Sequence, residues 1–144
     1  MKCYTYNAHI HVMQIDDYNE IYELWSNTAG MGLSDADTHM NIRKFLRRNM
    51  DLSFVCRHEN KIIGTILCGH DGRRGYIYHV TVAEEYRGRG IGGLLVEKSL
   101  KKLKEEGIYK CHLFVFTDNV IGNAFWTSVG WTVRKDIFVY SKTF

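Results

Sequence analysis

The sequence Val80-Thr81-Val82, followed after four residues by Arg87-Gly88-Arg89-Gly90-Ile91-Gly92-Gly93, decides the fold of this 144-residue chain. It predicts a strand that ends in a glycine-rich turn, and the turn opens an amphipathic helix. The four glycines leave backbone N–H groups uncovered, and the helix N-terminus adds a partial positive charge at the same place. With Arg87 and Arg89, these groups form a site for an anionic pyrophosphate.

Two well-known glycine-rich loops do not fit this pattern. The phosphate-binding loop of nucleotide hydrolases requires a Lys-Ser/Thr pair after its last glycine, whereas Leu94-Leu95 follows Gly93 here. A dinucleotide-binding fingerprint requires Gly-x-Gly-x-x-Gly early in a βαβ unit. Gly88-x-Gly90-x-Gly92 has a different spacing. What remains is Arg-x-x-Gly-x-Gly after a Val-x-Val strand.

A second motif lies downstream, with Asn119, Gly122, Trp126 and Gly130-Trp131 at fixed spacing. Together the two motifs resemble the GNAT superfamily of acetyl-CoA-dependent N-acetyltransferases. The family patterns are Arg/Gln-x-x-Gly-x-Gly/Ala and Asn-x-x-Ala-x-x-x-Tyr-x-x-x-Gly-Phe. This chain departs from the second pattern with Gly for Ala, Trp for Tyr and Trp for Phe. The resemblance covers nearly the whole chain.

Composition indicates one globular domain spanning residues 1–144. Hydrophobic residues make up 45% and aromatic residues 13%, which excludes a disordered chain. No apolar run approaches the ~20 residues of a membrane span, and no signal-peptide core is present, so we expect a cytoplasmic location. A net charge of +3 is too small to indicate a nucleic-acid partner, and an RNA-binding alternative lacks the aromatic-basic signature.

Cysteines and histidines suggest no metal site. The scattered Cys3, Cys56, Cys68 and Cys111 contain no Cys-x-x-Cys pair, which is typical of thiols in a reducing compartment. His9-x-His11 lacks a third ligand, so we expect ordinary strand histidines there.

Hydrophobic periodicity predicts the element order β-α-α-β-β-β-α-β-α-β. This order favours an α/β fold with a mixed central sheet of six to seven strands and helices on both faces, which is the order of the GNAT fold. The strands are predicted at 9–13, 53–57, 62–68, 76–82, 112–116 and 133–140, and the helices after 16–17, around 42–48, and at 91–106 and 119–129.

The resemblance implies that acetyl-CoA is the co-substrate. It places the coenzyme's pantetheine arm and thioester carbonyl on the main chain of Val80, Thr81 and Val82. It implies that the pyrophosphate meets Arg87, Gly88, Arg89, Gly90, Ile91, Gly92 and Gly93, and that Asn119 and Trp126 lie near the coenzyme arm. Asn119 also fits an ordinary helix N-cap.

The catalytic side chains depart from the family. The usual Tyr acid is replaced by Trp126, whose indole N–H cannot release a proton at neutral pH. The Glu base of the branch that acetylates ribosomal-protein N-termini is replaced by Phe114. If the fourth strand alternates regularly, Tyr78 shares a face with Val80, so we predict Tyr78 as a catalytic donor, unless it is only part of an aromatic strand core. His79 is the second catalytic candidate if a bulge turns it toward the same side.

We therefore expect an acetyltransferase that moves the acetyl group to a primary amine of a small molecule or peptide by direct attack in a ternary complex. The missing Tyr and Glu motivate an alternative, a non-catalytic acetyl-CoA-binding sensor or interaction module of GNAT fold. We expect the loops at 30–38 and 69–75 to recognise the acceptor, and Arg73 and Arg74 could meet a carboxylate. We expect no nucleic-acid or membrane partner, while edge strands could pair two copies into a homodimer.

Overall fold

The computed structural model describes residues 7–144, which form two compact units. The first unit ends at Phe114 and the second is Val115–Phe144. The first unit contains β1 (Ala8–Val12), α1 (Tyr18–Ser26), α2 (His39–Arg48), β2 (Phe54–His58), β3 (Lys61–His70), β4 (Gly75–Val82), α3 (Ile91–Glu105) and β5 (Cys111–Leu113), and the second contains α4 (Val120–Ser128).

The strands form a mixed sheet in the order β1-β2-β3-β4-β5. Neighbours are antiparallel except β4 and β5, which run parallel. The α/β class and the mixed sheet are confirmed, but the expected strand number is wrong, because residues 7–144 contain five strands. The apolar alternation at 133–140 does not form a strand. Alternating side chains are only half of what a strand requires, since its backbone must also find a ladder partner.

Two tight hairpins join the middle strands. Glu59 and Asn60 have φ values of 49° and 64°, the left-handed conformation of a two-residue turn between β2 and β3. Between β3 and β4, the Asp71 carboxylate accepts from the backbone N–H groups of Arg73 and Arg74, both at 2.8 Å. These local turns set the register of the residue pairs next to them, and an irregularity farther along each strand pair then shifts it.

One face of the sheet is covered by α1 and α2. The buried cluster on this face comprises Met13, Ile21, Trp25, Ile42, Val55, Ile62 and Leu67. Phe45 and Leu46 of α2 pack against it, whereas the four basic residues of that helix are exposed. Thr38 caps α2 by accepting from Asn41 N through its side chain.

The opposite face is covered by α3. The Thr65 side chain bonds Trp25 of α1, whereas a Cβ added at the adjacent Gly64 would lie 3.2 Å from Leu95 Cδ1 of α3. Successive strand residues point to opposite faces, so the helices lie on both faces, as predicted. Leu95 and Leu103 supply the buried stripe of α3.

The second unit is built around α4, which begins after Asn119. The Asn119 Oδ1 accepts from Gly122 N at 2.9 Å, which is an ordinary N-cap bond. Gly130, with φ 92°, lies just beyond the end of this helix. None of the helices in the described part of the chain has the length and apolar character needed to cross a bilayer.

Candidate active site

The centre of the site is a β-bulge in β4. His79 and Val80 together lie opposite the single residue Ile66 of β3. His79 has a φ of 49°, in the left-handed region that non-glycine residues rarely adopt. Such a conformation costs free energy and persists only where surrounding contacts hold it.

This bulge breaks the side-chain alternation of β4. The ring of Tyr78 lies 6.2 Å from the ring of Phe45 on the α2 side, whereas Val82 lies opposite Gly64 on the α3 side. Regular alternation would place Tyr78 and Val82 on the same face. The expectation that Tyr78 shares a face with Val80 depended on that regularity and is therefore wrong.

His79 is turned toward the same side as Tyr78. Its ring centroid lies 4.7 Å from that of Trp25 in α1, and its Nε2 lies 2.7 Å from Asp37 Oδ1. The side chains of His79 and Asp37 are 14% and 7% exposed. Thr65 Oγ1 donates to the His79 carbonyl oxygen at 3.0 Å, which ties the bulge to the core.

Asp37 was not identified from the sequence. It ends a short 3₁₀ turn (Asp35–Asp37) before α2, and its Oδ2 accepts from Ser34 N at 2.9 Å. The Tyr18 hydroxyl donates to its carbonyl oxygen at 2.6 Å. Ser34-x-x-Asp37 is a capping-box pattern and could have indicated the local turn. Nothing local predicts a contact with His79.

The Tyr78 hydroxyl is a neutral group that stays protonated. Burial raises the pKa of its hydroxyl, and the neighbouring Tyr76 and Cys111 raise it further. The hydroxyl therefore keeps its proton near neutral pH, so it can donate a hydrogen bond but does not act as a base.

The pairing between β4 and β5 ends just before the bulge. Their parallel ladder ends at the pair Ile77 and Leu113, whereas β4 continues to Val82. Over residues 78–82, the edge of β4 that faces away from β3 has no ladder to β5. The main chain of Val80, Thr81 and Val82 lies along this stretch, where an extended ligand could bond to it as an added strand does.

Beyond β4, the glycine-rich turn leads into α3. Gly90 is the N-cap of α3 with φ 80°, and no side chain bonds to the first turn from that position. Gly88 and Gly93 have open space where a Cβ would lie. Uncapped N–H groups at a helix start attract an anion. The Ile91 and Gly92 N–H groups belong to the same first turn.

Two arginines flank this turn. The Arg87 Nε donates to the Val82 carbonyl oxygen at 2.9 Å, which ties the turn to the end of β4. The Arg89 guanidinium lies 5.3 Å from the centre of the Tyr86 ring. Both arginines therefore belong to the segment that joins the end of β4 to the uncapped start of α3.

Trp126 and Phe114 make packing contacts with other aromatic rings. The ring of Trp126 lies 5.0 Å from that of Trp131 within the second unit. Phe114 stacks on Tyr76 with centroids 6.4 Å apart. Among residues 7–144, no group of three or more His, Cys, Asp or Glu side chains is arranged to hold a metal ion.

The cysteines behave as the sequence suggests where the structure describes them. Cys68 and Cys111 are free thiols and Cys56 is buried, while Cys3 lies outside the described residues. Burial raises the pKa of the Cys68 thiol to about 12 and that of Cys111 to about 11. Neither thiol is a nucleophile at neutral pH.

Two solved structures share this architecture. Ard1 from Thermoplasma volcanium superposes with a TM-score of 0.78 at 20% identity, covering 88% of this chain and 84% of that one. PaiA N-acetyltransferase from Thermoplasma acidophilum, solved in complex with coenzyme A, gives 0.78 at 19% identity, with 89% and 91% covered. At these identities the likeness establishes the fold.

Sequence relatives extend the comparison. An acetyltransferase of Sodalis glossinidius is 36% identical over 110 residues, which cover 76% of this chain and 77% of the relative. One from Pectobacterium atrosepticum is 35% identical over 115 residues, covering 78% and 81%. The model of the acetyltransferase (GNAT) family matches residues 18–131. With both signature motifs inside that match, the chain belongs to the GNAT family of acetyltransferases.

Proposed function

We propose that this acetyltransferase moves the acetyl group of acetyl-CoA to a primary amine of a small molecule or peptide, by direct attack of the amine in a ternary complex. The observation that carries the proposal is the sequence of two features along the chain. The edge of β4 is no longer paired with β5 after Ile77, and the uncapped glycine turn at the start of α3 follows that strand. The first feature suits an extended arm and the second suits a pyrophosphate.

In this arrangement the coenzyme's pyrophosphate lies on the turn at 87–93, and its arm lies along Val80, Thr81 and Val82. The coenzyme supplies an activated acetyl thioester. A backbone N–H on β4 polarises the thioester carbonyl as negative charge develops on its oxygen. Asn119 and Trp126 remain our predicted contacts to the arm, and Asn119 serves its helix as N-cap at the same time.

The acceptor amine must lose a proton to become a product amide, so a proton acceptor is needed nearby. We assign this role to His79, because it lies where β4 leaves β5 and its ring is held by Trp25 and Asp37. Tyr78, whose raised pKa keeps it protonated, is assigned as a donor to the departing sulfur.

Acceptor recognition is best supported for the loop at 30–38, since Asp37 of that loop touches His79. The hairpin at 69–75 precedes the bulge, at the start of β4. Arg73 and Arg74 at its tip are exposed, and a carboxylate on the acceptor remains an expectation for them.

The alternative of a non-catalytic acetyl-CoA sensor is not favoured, because the curated relatives are named acetyltransferases. The missing Tyr and Glu of other family members do not require it, since His79 and Tyr78 offer replacements. A cytoplasmic location and a homodimer stay predictions.

A screen of acceptors tests the proposed function. The protein is incubated with acetyl-CoA and a panel of amines, polyamines, amino acids and peptides, with thiol release and the mass of each acceptor as readouts. We expect one acceptor class to gain a single acetyl group while releasing one thiol. Coenzyme binding without acetylation of any class would support the sensor instead.

A further inference from the structure

The buried pair of Asp37 and His79 determines which ring nitrogen of the histidine can take up a proton. His79 Nε2 lies 2.7 Å from Asp37 Oδ1, while Asp37 Oδ2 accepts from Ser34 N at 2.9 Å. An ionised carboxylate only accepts hydrogen bonds. In the neutral ring, Nε2 must therefore carry the hydrogen, and Nδ1 keeps its lone pair.

We infer that Asp37 is a positioning residue for acetyl transfer, which fixes the tautomer of His79 so that Nδ1 accepts the proton of the acceptor amine. This inference rests on the proposed function. The amine lone pair forms the new C–N bond, the C–S bond breaks with its electron pair leaving on sulfur, and the nitrogen's proton passes to Nδ1. Proton return from the imidazolium to the thiolate, through solvent or Tyr78, restores the starting state.

Other contacts hold the ring for this task. The strained backbone of His79 is held by the bond from Thr65 Oγ1 to its carbonyl oxygen, and its ring lies against Trp25. Asp37 is itself fixed by Ser34 N and by Tyr18, which donates to its carbonyl oxygen. Strain maintained by this many contacts is common where a side chain must be aimed.

Asp17 has a local environment similar to that of Asp37, but its charge is paired with Arg57 and not with His79. Asp17 also ends a 3₁₀ turn, its Oδ2 accepts from Gln14 N at 3.0 Å, and its Oδ1 pairs with Arg57 Nη2 at 2.6 Å. Its side chain is 15% exposed. Asp17→Asn therefore removes the same charge from the same kind of turn and serves as a matched control for Asp37→Asn.

The experiment determines the tautomer of His79 and the steady-state kinetics in the same set of proteins. Long-range ¹⁵N–¹H NMR spectra of the histidine rings are recorded for wild type, Asp37→Asn and Asp17→Asn, at a pH where the ring signals no longer move. His79→Asn identifies the His79 signals. Values of kcat and KM are measured with the acceptor found in the screen.

We expect Nε2–H in the wild type and in Asp17→Asn, and Nδ1–H in Asp37→Asn. In that variant the amide oxygen keeps the bond from Ser34 N, so its NH₂ group faces His79 Nε2 and reverses the tautomer. We expect kcat to fall roughly 10²-fold in Asp37→Asn, the low end for general acid–base catalysis, with little change in KM for acetyl-CoA.

Three results would overturn the inference. These are an Nδ1–H tautomer in the wild type, full kcat in Asp37→Asn despite a reversed tautomer, and equal losses of kcat in Asp37→Asn and Asp17→Asn. The wild-type spectrum tests the tautomer of His79 even if Asp37→Asn does not fold. Failure of the wild type to acetylate any acceptor would instead contradict the proposed function, because the tautomer is read without turnover.

Discussion

Thr65 and His79 are joined by a hydrogen bond that connects the core to the strained point of β4. The Thr65 hydroxyl donates to the His79 carbonyl oxygen at 3.0 Å and accepts from Trp25 Nε1 at 2.9 Å. Thr65 and Trp25 are both fully buried. One hydroxyl therefore satisfies a buried indole N–H and holds the bulge in place.

Thr65→Val should destabilise the protein, because it keeps the shape of the side chain and removes both bonds. A buried polar group without a partner costs about 1–3 kcal/mol, so we expect a loss in that range in the free energy of unfolding, measured with urea. Thr127→Val, at an exposed position in α4, is the control and should change stability by less than about 0.5 kcal/mol. Equal effects of the two changes would refute the role of the Thr65 hydroxyl.

Gly90→Val should abolish the rise in melting temperature that acetyl-CoA produces. A ligand that binds the native state stabilises it by mass action, and a branched side chain at the helix start blocks the approach of the pyrophosphate. Valine at φ 80° is also strained, so the matched control is Gly107→Val after α3, where φ is 83°. Differential scanning fluorimetry with and without acetyl-CoA measures the rise in melting temperature. Of the two variants, only Gly107→Val should show it.

Trp126→Phe should keep most of the turnover. The indole cannot act as the acid that the family Tyr provides, and its contact with the Trp131 ring is a packing contact that phenylalanine can largely replace. Steady-state kcat and a near-ultraviolet circular dichroism spectrum check this together. A large loss of kcat with an unchanged spectrum would mean that Trp126 takes part in the chemistry.

Alkaline pH should weaken the fold through the two perturbed thiols. The pKa of Cys68 is about 12 and that of Cys111 about 11 in the folded protein, against about 8.5 for a free thiol. Their contribution to stability is complete below the unfolded value. It falls as pH rises toward the folded values, because the unfolded state releases its protons first.

Over this window each thiol should lower the free energy of unfolding by about 1.4 kcal/mol per pH unit. Urea unfolding of the wild type and of Cys68→Ala between pH 8 and 10.5 measures the slope, and the variant should have the shallower one. Identical slopes would show that Cys68 is not protected from ionisation.

Local features of this fold could be predicted from the sequence. The glycine turn, the start of α3 at Ile91 and the hairpin at Asp71 each depend on a few neighbouring residues. Turn residues and helix caps act over that same short range, so their patterns are informative.

Non-local features could not be predicted. The bulge at His79 places two residues of β4 opposite one residue of β3. It can be recognised only when the pairing of β4 with β3 is known. The contact between His79 and Asp37 joins positions 42 residues apart. The apolar alternation at 133–140 predicts a strand only if a ladder partner is present. In each case the deciding interaction lies outside the local pattern.

The central claim is that His79, and not Tyr78, takes the proton of the acceptor amine. The most direct test is kcat at saturating acetyl-CoA and acceptor for His79→Asn and Tyr78→Phe. Asparagine tolerates the left-handed backbone of His79 and keeps an N–H group for Asp37, but it is no base at neutral pH. We predict a loss of roughly 10²-fold for His79→Asn and a smaller loss for Tyr78→Phe. Full kcat in His79→Asn would contradict the claim.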